Sequence, residues 1–222
     1  FISENNVKNL ALTFEGFSWE KMVLYAAKQA SPKTNVIGYQ FACLTKNQIL
    51  HSKSMSRSYK PDVIWTNGLL NKKKLQKKFE NVTVIGTDRI NGKVNKNKKS
   101  KNNILVMPEG IIEEIDLMMK FSLSCANKYP NLKFIWRFHP SISKSYIRKN
   151  FMNEIIPRNI IISNKKLFED ISTCSSFFYR GSTTAVVALQ HGLFPFYLNL
   201  KKSINIDPLY DFNSWKMVVN SI

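Results

Sequence analysis

Two short polar motifs in the second half of the chain each follow a run of strand-forming residues. The first, Arg137-Phe138-His139-Pro140, follows the apolar run that ends in FIW, and the second, RGSTTA at 180–185, lies between SFFY and an apolar helical pattern. In an open α/β sheet, ligands bind at the carboxyl ends of the strands. The two motifs are therefore predicted to converge on one ligand at one edge of a parallel sheet.

The RGSTTA motif has the residue types of a phosphate-binding turn. A helix N-terminus supplies N–H groups and the positive end of the helix dipole, the hydroxyls of Ser182, Thr183 and Thr184 add donors, and Gly181 lets the backbone approach closely. The alternative is an ordinary helix cap, because Ser and Thr begin many helices. By itself the motif favours the cap, but the two motifs together favour a phosphate-bearing ligand.

The motif around His139 adds an imidazole and a guanidinium. Pro140 disfavours the helical conformation for His139, which predicts an extended turn that directs the imidazole over the sheet edge. Arg137 lies on the same face of the strand, where its guanidinium suits a diphosphate or a phosphodiester. Glu109, in a Pro-Glu-Gly turn after another predicted strand, is a candidate contact for a ribose.

An acidic candidate lies near the start of the chain, in the segment FEGFSWE at 14–20. Glu15, next to Gly16 and before a helix, is a candidate general base that removes a proton from an acceptor hydroxyl. The alternative is that Glu15 is a surface residue and that Glu20 belongs to the first turn of the helix. The residues alone leave these two interpretations open.

Several other kinds of site lack their motifs. The chain contains no GxGxxG, Walker A or GxSxG pattern, and His51, His139 and His191 do not have the spacing of metal ligands. No DxD-like motif occurs either. We therefore expect no metal and no cofactor.

Strand-forming runs alternate with helical patterns, which predicts parallel βαβ units. The predicted strands are 35–41, 61–67, 82–85, 104–107, 133–138, 159–162, 176–179 and 193–198. The predicted helices are 19–29 (with Ser18 as its cap and an apolar face of Trp19, Met22, Val23, Ala26 and Ala27), 69–79, 111–129, 145–155, 166–172 and 181–190. Residues 89–103 are rich in Lys and Asn and predict a linker, which divides the chain into an N-terminal lobe (1–88) and a C-terminal lobe (104–222).

The composition limits the classes of protein that the chain can belong to. It has 222 residues, 44% of them hydrophobic, and a formal net charge of +18. A sizeable core is therefore expected, and no apolar run reaches the roughly 18 residues that a membrane span needs. The charge suits an anionic substrate, an anionic membrane surface or nucleic acid, although codon bias alone can also produce it. The chain begins at Phe1, which we interpret as the interior of a longer protein.

His139-Pro140, Ser182-Thr183 and Glu15-Gly16 together resemble the short motifs of bacterial sialyltransferases and polysialyltransferases. The segment 15–40, with its WE-containing helix and its IGYQ strand, is also similar to bacterial surface-carbohydrate biosynthesis proteins. The resemblance implies an α/β fold with two Rossmann-like lobes of the GT-B type, the N-terminal one incomplete. One position departs from the pattern, because Phe14 stands where the family has an acidic residue.

The resemblance also implies an activity and a set of roles. The protein would be a metal-independent, inverting glycosyltransferase that moves a sugar from a nucleotide-activated, CMP-linked donor to a surface polysaccharide or glycolipid. His139, Ser182 and Thr183 would bind the donor phosphate, with His139 assisting departure of the nucleotide and Glu15 as the base. The position of the other residues at the strand ends, and not the resemblance, adds the remaining predicted nucleotide contacts, which are Arg137, Pro140, Gly181, Thr184 and Glu109. We expect a cytoplasmic protein, in peripheral contact with an anionic membrane.

Two other functions are compatible with the same residues. A transferase that moves glycerol or ribitol phosphate from a CDP donor would need similar phosphate contacts. A basic, non-catalytic module for nucleic acid or membranes would depend on lysine clusters such as 72–78 and 96–101. Because aromatic residues are not interleaved with these lysines, we expect no specific nucleic-acid partner.

Overall fold

The computed structural model describes residues 1–46, 55–88, 94, 99–152, 156–199 and 204–220. The chain divides into two compact units. Residues 1–44 and 48–90 form the N-terminal unit, and residues 45–47 and 91–222 form the C-terminal unit. Each unit is built on a parallel sheet of its own.

The N-terminal unit has a four-stranded sheet in the order β1-β2-β3-β4, with every neighbouring pair parallel. Its strands are β1 (Asn9–Thr13), β2 (Asn35–Gln40), β3 (Val63–Thr66) and β4 (Val82–Val84). Its helices are α1 (Ser18–Ala30) and α2 (Leu69–Leu75), with a 3₁₀ turn at Arg57–Tyr59. Strand β1 was not predicted from the sequence, because this edge strand alternates only between exposed and half-buried residues.

The face of helix α1 that packs against the core differs from the predicted apolar face. The buried residues are Glu20, Leu24 and Ala27, whereas Trp19 is 55% exposed and Met22 is 59% exposed. The predicted apolar face was therefore wrong in all but one of its members. The predicted cap was also wrong, because Ser18 is the first helical residue and the position before it is Phe17.

The C-terminal unit has a six-stranded sheet in the order β10-β9-β8-β5-β6-β7, and every neighbouring pair is parallel. Its strands are β5 (Ser100–Met107), β6 (Lys133–Trp136), β7 (Ile160–Ile162), β8 (Cys174–Tyr179), β9 (Phe194–Asn199) and β10 (Met217–Asn220). Its helices are α3 (Ile112–Lys128), α4 (Lys144–Ile147, continued as a π-helix over Arg148–Met152), α5 (Leu167–Thr173) and α6 (Thr184–Gln190), with a 3₁₀ turn at Asn213–Trp215. None of the described helices combines the length and apolarity needed to cross a bilayer.

Three predicted boundaries in this unit need correction. Strand β5 begins at Ser100, so the last residues of the predicted linker belong to the sheet, while most of 89–99 lies outside the described residues. The predicted helix 145–155 is a short α-helix followed by a π-helix, and 153–155 lie outside the described residues. Helix α6 begins at Thr184 and not at Gly181, and β10 was not predicted.

The central strands β5 and β8 are buried on both faces. Leu105 and Phe177 pack into the core on one face, and Val106 and Phe178 pack into the core on the other. Parallel strands covered on both faces read as continuous apolar runs, which is why the sequence predicted both of them. The strand order reverses direction between β5 and β8, and ligands bind at such a switch point in open α/β sheets.

Candidate functional site

A small cavity of about 40 Å³ lies where the carboxyl ends of β5, β6 and β8 meet. Its lining joins both motifs that the sequence singled out and is formed by Met107, Pro108, Arg137, Phe138, His139, Pro140, Ser182 and Thr184. About 10–15 Å³ of such volume is enough for one water molecule, so the cavity has room for a group the size of a phosphate. The two motifs therefore converge within the C-terminal unit.

His139 lies at the tip of a tight turn after β6. The Ile142 N–H donates to the His139 carbonyl at 3.0 Å, and Pro140 occupies the position where β-turns favour proline. The Ser141 N–H donates to His139 Nδ1 at 3.2 Å, and Ser141 Oγ lies 2.7 Å from the same nitrogen. Because a backbone N–H can only donate, Nδ1 accepts, and the neutral ring carries its proton on Nε2.

Gly110 and Gly181 make room for this arrangement. A Cβ atom at Gly110 would lie 2.8 Å from Ser141 Oγ and 3.1 Å from His139 Nδ1. A Cβ atom at Gly181 would overlap Glu109 Oε2, so the Glu109 carboxylate packs directly against the turn after β8. The two glycines thus let the loop after β5 fit between the loops after β6 and β8.

The turn before α6 is not capped in the ordinary way. Ser182 is buried, Thr183 is exposed, and the position before the helix, Thr183, makes no side-chain cap. Ser182 Oγ instead accepts the Thr184 N–H at 3.3 Å. In the described part of the chain no acceptor contacts the N–H groups of Ser182 and Thr183, and the first turn of α6 has no acidic residue.

Arginine residues follow both β6 and β8, and each has a carboxylate partner. Arg137 Nη1 lies 2.9 Å from Asp170 Oδ2 and donates to the Lys165 carbonyl at 2.6 Å, which orients the guanidinium while it lines the cavity. Arg180 is buried, and its Nε lies 2.8 Å from Glu114 Oε1. This ion pair joins the turn after β8 to helix α3.

Glu109 has an environment that opposes its ionisation. Burial raises the pKa of the Glu109 carboxyl, the negative charge of Glu114 raises the pKa further, and the charge of Arg180 only partly offsets both. The carboxyl group is therefore protonated more readily than an exposed glutamate. A protonated Glu109 is able to donate a hydrogen bond as well as accept one.

Glu15 follows the carboxyl end of β1 in the N-terminal unit. Its backbone N–H donates to both carboxylate oxygens of Glu20, and Oε2 of Glu20 also accepts the N–H groups of Gly16 and Phe17. Gly16 has a φ of +92°, which favours glycine at this turn. Phe14, the departure from the family pattern, is a fully buried core residue that packs edge-on against Phe79.

Two contributors to the site, Ser141 and Gly110, were not predicted from the sequence. Ser141 follows the His-Pro pair by one residue, and a serine two positions after a turn histidine is the signal that would have suggested the contact with Nδ1. No such signal existed for Gly110, because its role depends on a neighbouring strand. Among the described residues, no group of three His, Cys, Asp or Glu side chains has the arrangement of a metal site.

Neither a protein-family model nor a curated protein sequence matches the chain. Solved structures of similar fold do match. They include the pneumococcal O-GlcNAc transferase GtfA in complex with UDP and GlcNAc, with a TM-score of 0.59 and 14% identity over 90% of this chain and 44% of GtfA. TarM matches with a TM-score of 0.58 and 14% identity over 96% of this chain and 45% of TarM.

The S. aureus MnaA–UDP structure matches with a TM-score of 0.59 and 12% identity over 99% of this chain and 64% of MnaA. The chain thus spans less than two thirds of the length of each of these proteins. At such low identity the likeness shows the fold alone. The fold is α/β with two Rossmann-like parallel-sheet units of the GT-B type, which confirms the fold class predicted from the sequence.

Proposed function

We propose that the C-terminal unit binds the nucleotide of an activated sugar and that the chain belongs to a glycosyltransferase. One observation carries the proposal: His139 from the end of β6 and Ser182 and Thr184 from the end of β8 line one cavity beside the switch point of the sheet. The fold shared with GtfA, a transferase solved with UDP, supports the same proposal.

Each residue of the site has a proposed role. His139 Nε2–H donates to a phosphate oxygen of the donor, while Ser182, Thr183 and Thr184 donate their hydroxyls to the same group. Gly181 and Pro140 shape the turns that carry these donors, and Arg137 adds positive charge. Glu109, at the start of the loop after β5, contacts the ribose hydroxyls.

These residues favour departure of the nucleotide. Negative charge develops on the phosphate as the bond to the sugar breaks, and preorganised donors aimed at that charge lower the barrier. The donors named above provide this stabilisation without a metal ion. We propose that Glu15 removes the proton from the acceptor hydroxyl, which attacks the opposite face of the sugar and inverts the anomeric carbon.

We propose a UDP-linked sugar as the donor, because GtfA and MnaA were both solved with UDP. The CMP-linked donor implied by the sequence resemblance is the competing outcome. The acceptor is a surface glycan or glycolipid on the cytoplasmic side of a membrane. The net charge of +18 suits peripheral contact with an anionic bilayer.

A second candidate function is sugar epimerisation. A putative UDP-N-acetylglucosamine 2-epimerase from Listeria monocytogenes matches with a TM-score of 0.59 and 11% identity over 99% of this chain and 63% of its own length. Incubation with UDP-N-acetylglucosamine separates the two activities. An epimerase changes the configuration at C2 and retains the nucleotide, whereas a transferase releases UDP only when an acceptor is present.

Calorimetric titration with UDP, CMP, CDP and GDP tests the proposed site. We expect UDP to bind, and we expect His139→Ala and Ser182→Ala each to weaken binding by about 10- to 100-fold, because a hydrogen bond to a charged group contributes about 1.5–3 kcal/mol. Ser175→Ala, in strand β8 before the turn, is the matched control and should bind as the native chain does.

The alternatives give different results in this titration. Preference for CMP would restore the donor implied by the sequence, and preference for CDP would favour the polyol-phosphate transferase. Equal binding of all four nucleotides that disappears at high salt would favour the basic module and would sink the proposed site.

The proposed base has its own test in a protein that shows transfer. Glu15→Gln should leave the affinity for UDP unchanged and lower kcat by at least about 100-fold, because general-base catalysis contributes about 10²–10⁴-fold. The exposed Glu4→Gln is the control. Transfer that survives in Glu15→Gln would remove Glu15 from the mechanism.

A further inference from the structure

The N-terminal unit contains a cavity of its own, with a volume of about 380 Å³. Four cationic side chains line it, together with two carboxylates. The cations are Lys28, Arg57, Lys60 and Lys78, and the carboxylates are Asp62 and Glu80. We call this surface the basic cavity.

The basic cavity lies at the amino-terminal ends of two strands. Pro61 and Asp62 come directly before β3, and Glu80 and Asn81 come directly before β4. Substrate sites of parallel sheets lie at the opposite, carboxyl ends of the strands. The basic cavity is therefore at the other end of its sheet from Glu15, and the proposed transfer reaction does not use it.

One of the two carboxylates, Asp62, already forms an ion pair with Lys28. Asp62 Oδ1 accepts from Lys28 Nζ at 2.8 Å, and Asp62 Oδ2 accepts the Val36 N–H at 2.9 Å. Burial alone would raise the pKa of Asp62, but these hydrogen bonds and the charges of Lys28 and Arg57 together lower it. Asp62 therefore stays ionised and neutralises Lys28.

The other three cations form no direct ion pair with a carboxylate among the described residues of the chain. Lys60 Nζ lies 5.8 Å from the centre of the Phe79 ring, a cation–π distance that leaves its charge uncompensated by an anion. Arg57 and Lys78 line the same cavity. Three positive charges thus face one carboxylate, that of the exposed Glu80.

The backbone around these cations is held in place by local contacts. Arg57 begins a 3₁₀ turn whose Tyr59 stacks on Tyr25 with a ring separation of 5.3 Å, and the Arg57 carbonyl accepts from Lys28 Nζ at 3.4 Å. Lys78 follows α2, and its N–H donates to the Leu75 carbonyl at 2.8 Å. The cations are therefore presented by fixed turns on different segments, as in a preorganised site.

We propose that the basic cavity binds a ligand that carries two or more phosphates. Arginine suits bidentate contact with a phosphate, and lysine acts as a point charge beside it. The volume exceeds that of a single phosphate, and the four cations of the lining outnumber its two carboxylates by two charges, which suits a diphosphate. A soluble polyphosphate and the headgroup of a diphosphate lipid both supply this chemistry.

Calorimetric titration with tripolyphosphate at 0.15 M salt is the first test, performed in the His139→Ala background so that the candidate donor site contributes less to the measured binding. Arg57→Gln and Lys78→Gln should each weaken binding by about 10-fold or more. The control is Lys133→Gln, which makes the same change in charge at an exposed lysine of the C-terminal unit. Equal losses in all three variants, or no binding of tripolyphosphate or lipid, would overturn the proposal.

Sedimentation with cardiolipin vesicles distinguishes the two sources of phosphate. Binding that needs Arg57 and Lys78 and greatly exceeds binding to phosphatidylcholine vesicles identifies a lipid headgroup. Binding of tripolyphosphate without cardiolipin binding identifies a soluble ligand. Both variants should retain the native thermal unfolding temperature, because neither side chain has an ion-pair partner among the described residues.

Discussion

Two turns of this chain each connect a strand to a helix, but they differ in whether a carboxylate accepts their backbone N–H groups. The turn from β1 to α1 passes through Glu15, Gly16 and Phe17, and the turn from β8 to α6 passes through 180–183. In the first, the carboxylate of Glu20 accepts all three N–H groups of the turn at 2.7–3.0 Å. In the second, the described residues supply no acid to the N–H groups of Ser182 and Thr183.

The third residue of each helix accounts for this difference. The third residue of α1 is Glu20, whose buried carboxylate already accepts the backbone N–H groups of the turn before the helix. The third position of α6 is Val186, which packs against the core and supplies no carboxylate to the turn before the helix. A single residue in the first turn of each helix therefore separates a structural turn from a candidate binding turn.

The largest expected effect comes from removing the Glu20 carboxylate from the turn before α1. Glu20→Ala should lower the free energy of unfolding by about 3 kcal/mol, because one buried and two partly buried N–H groups lose a charged acceptor and hydrogen bonds to charged groups contribute about 1.5–3 kcal/mol each. Urea denaturation measures the change. Glu169→Ala, at an exposed first-turn glutamate of α5, should cost less than about 1 kcal/mol. Equal losses in the two variants would contradict the comparison.

The second expected effect comes from adding a carboxylate to the first turn of α6. Under the proposed function, Val186→Glu places a carboxylate where Glu20 stands in α1 and should weaken UDP binding by more than about 10-fold through competition with the phosphate. Val186→Gln loses the same packing without the charge and is the control. Calorimetric titration of both variants with UDP gives the answer, and similar affinities for the two would show that the turn does not hold the phosphate.

A smaller effect is expected at the histidine. Ser141→Ala removes one contact with His139 Nδ1 and should weaken UDP binding about fivefold, since such a hydrogen bond contributes about 1 kcal/mol. The ¹⁵N chemical shifts of the imidazole should report a larger share of the Nδ1–H tautomer. Ser145→Ala, on an exposed serine nearby, should change neither measurement. An unchanged tautomer in Ser141→Ala would exclude the positioning role.

The smallest effect concerns Glu109 and depends on pH. Its pKa in the folded chain is raised above the ordinary value of 4.5, mainly by burial and also by Glu114. The folded state therefore holds the proton more tightly, and the stability that this contributes below pH 4.5 is lost as the pH rises through the folded pKa.

Glu109→Gln removes this titration from the folded and unfolded states. The variant should be more stable than the native chain at pH 7, and the difference should shrink towards pH 4. Urea denaturation at the two pH values measures it. A difference that grows on acidification would mean that the Glu109 carboxylate is stabilised in the fold.

The sequence predicted most of the βα alternation, because periodicity and turn residues act locally along the chain. It found the central strands β5 and β8, whose apolar runs are continuous, and both polar motifs at strand ends. It missed β1 and β10 at sheet edges, where few residues are buried and the periodic signal is weak. It also assigned the wrong face to α1, since Trp19 and Met22 have helical spacing but are exposed.

By itself, the sequence determined the fold class and the chemical types at two strand ends, the imidazole of His139 and the hydroxyls at 182–184. The tertiary structure alone decided that these groups share a cavity, because the order of strands in a sheet is set by long-range pairing that leaves no local pattern. It also decided that Glu20 accepts the N–H groups of the turn before α1, and that Gly110, which has no side chain, leaves space for the contact between Ser141 and His139. Contacts between segments distant in the chain depend on packing, which no periodicity encodes.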